Sequence, residues 1–269
     1  RSELGVIISG TGVGKSHLLV HLGATALMLG KNVIYYTLEM ADTSIGSRFD
    51  SCLTEFSIND IKLYKDLVYK KIKDIPGKLI VKEYPTKSVS IKAIRNHLDK
   101  LIQKGFNPDM VIIDYGDLLK SAVYSKERRF DLESVFEDMR ALAQEYRVSV
   151  WTASQCKRDS LEKEVITMDS IAESFAKCFI ADLIISLSRT IADKNSNQGR
   201  IYIAKNRNGI DGVVFPLFVD TSISKIKVLQ SQNENGELIT TQSSFSESGN
   251  VSKSNREKYK ALIKSKKKE

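Results

Sequence analysis

Ser9-Gly10-Thr11-Gly12-Val13-Gly14-Lys15-Ser16 is the stretch that decides how this chain is read. It follows the apolar run Gly5-Val6-Ile7-Ile8 and leads into apolar-periodic residues from His17 to Leu29. Strand, glycine-rich turn and helix, in that order, are the context a phosphate loop requires. Glycines let the backbone turn tightly enough for successive N–H groups to converge on phosphate oxygens. The helix that follows adds the positive end of its dipole. Lys15 is placed to reach the β- and γ-phosphates, and the Ser16 hydroxyl to ligate Mg²⁺. The first position of G-x-x-x-x-G-K-[ST] is Ser9 rather than glycine, a small residue that suits the same turn. An ordinary glycine-rich turn before a helix is the competing reading, and it leaves Gly14-Lys15-Ser16 unexplained. ATP with Mg²⁺ is the expected ligand of Ser9 through Ser16.

Outward from the loop, strands and helices alternate. Gly30 is the expected stop of the first helix. Asn32 to Thr37 reads as a buried strand, and Asp42 to Asp74 as two or three short surface helices. Pro76-Gly77 marks a turn before a strand at Lys78 to Val81. Ile91, Ile94, Leu98, Leu101 and Ile102 recur at helical spacing, closed by Gly105. Met110 to Ile113 is a continuous apolar run that meets Asp114. Leu132 to Tyr146 is amphipathic, with Asp131 as its expected cap. Val148 to Ala153 is a further buried strand, with Ser154-Gln155 at its exit. Strands apolar on both faces imply a mainly parallel sheet covered by helices. After Ala181, runs at 182–187, 200–204, 213–219 and 225–229 read as strands joined by short turns, with turn signals at Asp193 to Gly199 and Asn208-Gly209. The expected class is therefore α/β, a P-loop NTPase with helices on both faces and an antiparallel C-terminal extension. The domain is expected to span 1–230. Residues 231–269 read as a polar, then basic, disordered tail.

Ligands of an open α/β sheet lie beyond the carboxyl ends of its strands. Three polar residues stand there. Asp114, at the end of an apolar strand, is the candidate for holding Mg²⁺ or its water, with a turn or cap acid as its bland alternative. Glu39 is a candidate general base for the attacking water, although an acid at a strand end is often structural. Gln155 can sense the γ-phosphate through its amide, which both donates and accepts hydrogen bonds. His17 and His21 share one helix face at i, i+4 but have no third ligand, so packing is the expectation. Cys156 has no identifiable histidine partner for nucleophilic catalysis.

The ordered set SGTGVGKS, YYTLEM, VIIDYGDLL, VSVWTASQ and IAKNRNG resembles the ATPase domain of DnaB-type hexameric replicative helicases, a RecA-like fold. LIVKEYPT, MRALAQEYRVSVWTASQ and MDSIAES are similar to the replicative helicases of T-even-like bacteriophages. The resemblance runs from about Leu4 to Leu229. It implies that Glu39 is the catalytic glutamate and that Gln155 couples γ-phosphate state to DNA-binding loops. It implies also that Lys205 and Arg207, the K-x-R pair, enter the ATP site of a neighbouring subunit. A guanidinium is always charged and planar, which suits Arg207 to transition-state charge; a solvated turn beside Asn208-Gly209 is the plainer alternative. A homo-hexamer on single-stranded DNA, with primase and a helicase loader as partners, is what the family suggests. The expected activity is ATP-driven translocation and duplex unwinding. The alternatives are a RecA-type recombinase or an ATP-switched DNA-binding protein that does not unwind.

Composition agrees with a soluble polyanion-binding protein. The chain has 269 residues, 28% charged and 42% hydrophobic, and a net charge of +8. From Asn250 to Glu269, eight Lys/Arg against two Glu leave +6 on the tail, which suits salt-dependent affinity for nucleic acid. Two basic stretches follow the strand ends, one with Lys126, Arg128 and Arg129 and one with Lys157 and Arg158. Both are candidates for gripping DNA phosphates, and solvated surface is the alternative. Trp151 and the tyrosines near Tyr35 are expected as core or nucleotide-packing residues rather than platforms for stacked bases. Three scattered cysteines argue against a disulfide frame or zinc site. No apolar run approaches the roughly 20 residues of a membrane span, so a cytoplasmic location is expected, in the host cell if the protein is phage-encoded. Arg1 in first position points to a piece of a longer protein.

Overall fold

The computed structural model describes residues 2–122, 127–156, 165–167, 176–229, 231–232 and 238–239. The chain begins with β1 (Leu4–Ser9), α1 (Lys15–Met28) and β2 (Val33–Thr37). Next come α2 (Asp42–Thr54), α3 (Lys65–Ile72), β3 (Leu79–Glu83), α4 (Ile91–Gln103) and β4 (Met110–Asp114). A single 3₁₀ turn (Gly116–Leu118) precedes α5 (Arg128–Tyr146) and β5 (Ser149–Gln155). The last part carries α6 (Ala176–Ile180), β6 (Leu183–Ser188), α7 (Ile191–Asn195), β7 (Gln198–Asn206), β8 (Val213–Asp220) and β9 (Lys225–Val228).

These strands form one sheet in the order β3-β2-β4-β5-β1-β6-β7-β8-β9. From β3 to β6 every pairing is parallel, and from β6 onward every pairing is antiparallel. Period-2 alternation divides each central strand between two buried layers. Leu4, Val6 and Ile8 face one layer with Ile34, Tyr36, Val111, Ile113 and the apolar face of α5. Ile7 faces the other with Val33, Tyr35, Ile112 and the buried faces of α1 and α2. Both faces are covered, and this is why these strands read as continuous apolar runs. Trp151 is half-buried and packs against the core, where a side chain at Gly5 would stand, 2.7 Å from an added Cβ.

Three details depart from the sequence reading. β6 belongs to the parallel sheet, paired with β1 from Gly5↔Leu183 to Ser9↔Leu187, so the antiparallel extension starts only at β7. The apolar run at 182–187 is compatible with either direction, and direction is set by the crossover before it. Asp131 lies inside α5 rather than at its cap, which is Glu127. Within Asp193–Gly199, a short helix replaces part of the expected turn. Thr190 and Asp193 close a capping box on it, with Asp193 N–H donating to the Thr190 hydroxyl at 3.2 Å and Thr190 N–H to Asp193 Oδ2 at 2.8 Å. Past residue 229, the described backbone forms an antiparallel pair between Ser231–Gln232 and Leu238–Ile239. Residues 240–269, with the basic tail, lie outside the described residues.

Candidate functional site

The phosphate loop leaves β1 between β5 and β6: the connection from β1 runs toward β2, whereas the one from β5 runs the other way, past β1 to β6. Gly12 (φ 69°) and Gly14 (φ 119°) take left-handed backbone that a Cβ would strain. Gly14 is the N-cap of α1, with no side-chain cap and no acid in the first turn. The helix dipole therefore faces the loop with no acid there to offset it. Lys15 Nζ folds back over the loop and donates to the Gly10 carbonyl at 3.0 Å.

The acids converge from neighbouring strands. Thr37 pairs in register with Asp114, and Leu38 N–H donates to the Asp114 carbonyl at 2.8 Å. The Thr37 hydroxyl donates to the Met40 carbonyl and accepts from its N–H, and the turn so closed leaves Glu39 exposed. Asp114 is 1% exposed, and its Oδ2 accepts a 2.7 Å hydrogen bond from the Tyr35 hydroxyl. Its Oδ1 is buried without a hydrogen-bond partner. Ser16 stands close enough to stabilise the carboxylate electrostatically, though not as a bonded partner of that oxygen. Gln155 pairs in register with Ser9, the last residue of β1, and its Nε2 donates to the Tyr115 hydroxyl at 3.1 Å.

Burial governs the charges here. It pushes the Asp114 carboxyl up, against the Tyr35 hydrogen bond and the charges of Arg48 and Lys15. It pushes the Lys15 ammonium down, against Glu39, Asp114, Cys156 and Asp117. Burial likewise raises Tyr115, with Glu39, Asp117 and Asp114 adding to it. At Lys15 and Asp114 burial thus outweighs the neighbouring charges, the condition expected of residues built to meet a charged ligand. An orphaned, buried carboxylate oxygen near a serine hydroxyl fits a hard divalent cation with oxygen ligands. A cleft of 640 Å³ adjoins the start of α1, lined among others by His17, Met40, Arg48 and Asn59.

Not every candidate gathers at this point. Lys205 and Arg207 lie at the opposite end of the sheet, where Asn206 pairs with Leu183, the first residue of β6. Register places the phosphate-loop end of β6 four residues further on, roughly 13 Å away. Lys205 Nζ donates to the carbonyls of Cys178 (2.6 Å), Phe179 (3.1 Å) and Ala181 (2.7 Å). Arg207 Nη2 donates to the Phe179 carbonyl at 2.6 Å, and its Nε lies 3.3 Å from Asp182 Oδ1. Arg128 and Arg129 open α5 instead of lying in a loop; Arg129 pairs with Glu127 at 2.7 Å. Lys126, Lys157 and Arg158 lie outside the described residues. His17 Nδ1 hydrogen-bonds the Ser224 hydroxyl at 2.8 Å, and His21 Nδ1 lies 3.6 Å from Cys52 Sγ.

The family model of the DnaB-like helicase C-terminal domain matches residues 1–227. The chain belongs to that family. It is 34% identical over 218 residues to the DnaB-like replicative helicase of Enterobacteria phage T4, covering 77% of this chain and 46% of that protein. The replicative DNA helicase DnaB of Haemophilus influenzae is 25% identical over 229 residues, covering 79% and 48%. This DnaB-family chain thus spans about half the length of these relatives. In fold it is similar to a separately solved ATPase domain, with TM-score 0.74, 20% identity and 86% of each chain covered. A DnaB-like replicative helicase studied for its interactions with primase gives TM-score 0.72 at 20% identity, covering 84% of this chain and 57% of that one. The RecA-like class read from the sequence is the fold observed.

Several site-forming residues escaped the sequence reading. Arg48 on α2 reaches Asp114 electrostatically, yet no motif marks it. Asp117 and Ser154 were within quoted segments, three residues beyond Asp114 and one before Gln155. Lys177 did leave a signal, as a lone cation in the apolar run from Phe175 to Ala181. Among the described residues, no helix is long and apolar enough to cross a membrane.

Proposed function

We propose that this chain is the ATP-driven motor domain of a replicative DNA helicase, working as a homo-hexamer on single-stranded DNA in the cytoplasm of the cell that holds it. The observation that carries this reading is the buried Asp114 carboxylate beside Lys15 and Ser16, at the mouth of a phosphate loop in a DnaB-family domain. The loop amides and Lys15 bind the phosphates, and the cleft beside α1 takes the sugar and base. Ser16 and Asp114 would hold Mg²⁺, which supplies positive charge against the β- and γ-phosphates when bound. Glu39, exposed at its turn, accepts a proton from the attacking water. Gln155 reports γ-phosphate state, and Lys205 with Arg207 completes a neighbour's site. The position of that pair, at the end of the strands away from its own loop, supports action across an interface. Arg128, Arg129 and the basic residues 126, 157 and 158 grip DNA phosphates. Primase and a loader are the protein partners this role calls for.

The test is ATP turnover per subunit across protein concentrations, with and without single-stranded DNA, for the parent chain and Arg207→Ala. Turnover that rises with concentration, is stimulated by DNA and falls about 10³-fold in the variant is expected. Concentration-independent turnover that survives the substitution would sink the shared site.

A further inference from the structure

Lys177 is 2% exposed, an unusual place for a lysine unless its partners are complete. Its ammonium lies 2.6 Å from Asp117 Oδ1 and donates to the Ser154 hydroxyl at 3.1 Å. Ser154 Oγ donates in turn to Asp117 Oδ2 at 2.9 Å, and the ammonium sits 5.0 Å over the Phe136 ring of α5. A buried ion pair is a poor way to gain stability, since the cost of desolvating both charges rivals their attraction. Its placement suggests another use. Asp117 sits in the turn just beyond Asp114, and it is close enough to Lys15 to stabilise the ammonium. Ser154 immediately precedes Gln155. Both partners therefore belong to the nucleotide end of the sheet.

The backbone that carries Lys177 leads to the other end. α6 is five residues long, and the carbonyls at and just beyond its end are those that receive Lys205 and Arg207. Asp182, next in the chain, also accepts from Leu4 N–H at 3.0 Å and from Arg140 of α5, so this end is braced on β1 and α5. α6 is thus a short strut. One side chain pins it to the nucleotide end of the sheet, and the carbonyls at and just beyond its end hold the basic pair at the opposite end of the strands.

We propose that Lys177 is a positioning residue that, through Asp117 and Ser154, links occupancy of the phosphate loop to the presentation of Lys205 and Arg207. The proposal rests on the phosphate loop being the nucleotide site, as read above. A change in the pocket that moves Asp117 or Ser154 pulls on α6 directly, because the cluster has no slack: each of its three pairings is within hydrogen-bonding distance. In a merely structural role, the cluster would hold α6 the same way whatever the pocket contains.

Hydrogen exchange of the full chain, with and without Mg²⁺ and the slowly hydrolysed analogue ATPγS, separates the two. In the parent chain the nucleotide is expected to protect amides 10–16 and to change exchange at 177–182 and 205–207. In the paired variant D117N/K177M, neutral at both positions, protection of 10–16 is expected to be reached once the nucleotide is raised to saturation, even if Lys15 grips it less tightly without the Asp117 charge. The response at 177–182 and 205–207 is expected to shrink about fivefold or more. Lys177→Arg, which keeps the charge, should restore part of that response relative to Lys177→Met. If Lys177→Met fails to fold, the paired variant still decides. An undiminished distal response in the paired variant overturns the proposal. So does a parent chain whose loop is protected while 177–182 and 205–207 stay silent. If the parent's loop itself shows no protection, the nucleotide reading has failed and the proposal falls with it.

Discussion

At the scale of single residues, Asp114 sets function against stability. Burial raises its pKa above the ordinary 3.8, so the folded chain holds that proton more tightly than the unfolded chain does. The stability this contributes is fully present below 3.8 and is lost as pH rises through the folded value. At pH 7 the buried charge is therefore a cost to the nucleotide-free fold. Asp114→Asn is expected to melt higher than the parent at pH 7, by roughly 2–4 °C for each kcal/mol recovered. The melting-point gap should close as the pH is lowered toward 4. Turnover of ATP should fall about 10²–10³-fold in the same variant. A lower melting temperature at pH 7 would contradict the sign of this argument. The site was legible at this scale wherever a residue stood at the end of a strand. Glu39, Asp114 and Gln155 could be placed because strand ends converge in a parallel sheet. Arg48 and Lys177 could not, since each reaches the site from a helix whose docking angle is a tertiary fact.

At the scale of elements, the packing of α1 on the sheet leaves no room at Gly23. An added Cβ would meet Phe49 Cζ at 2.8 Å and Ile112 Cδ1 at 3.1 Å, joining α1 to α2 and β4. Alanine in a helix interior gains about 1 kcal/mol over glycine, whereas overpacking a core costs about 1–3 kcal/mol. Phe49 is 1% exposed and Ile112 fully buried, so neither can swing aside into solvent. Gly23→Ala is therefore expected to lose stability, by about 1 kcal/mol net, in denaturant unfolding. A gain would mean that α1 can shift on the sheet. The elements themselves were readable from apolar runs and glycine stops: Gly30 and Gly105 end α1 and α4 in left-handed backbone, as their positions suggested. The direction of β6 was not readable. A strand of the form Leu-Ile-Ile-Ser-Leu-Ser buries well in either orientation, and only the crossover preceding it makes it parallel.

At the scale of the whole molecule, the phosphate loop and the Lys205–Arg207 pair occupy opposite ends of one sheet. In the shared-site reading, each subunit offers two half-sites and uses neither alone. Lys15→Ala chains lack their own phosphate grip but still present Arg207, and Arg207→Ala chains have the reverse defect. Mixing the two inactive variants is expected to restore part of the ATP turnover, because one kind of pairing places an intact loop opposite an intact arginine. No recovery on mixing, under conditions where the chains assemble, would argue that the arginine serves its own subunit. The sheet order has a consequence of a different kind, for the chain as it is being made. β1 is synthesised before either of its neighbours, β5 and β6, which follow about 145 and 180 residues later. At roughly 5–20 residues per second, its two edges wait between about 7 and 36 seconds for partners. The phosphate loop hangs from that strand. The strand that carries the loop is thus among the last to be flanked on both sides, and a chain cut short before Ser149 would hold its glycine-rich loop on a strand with neither neighbour.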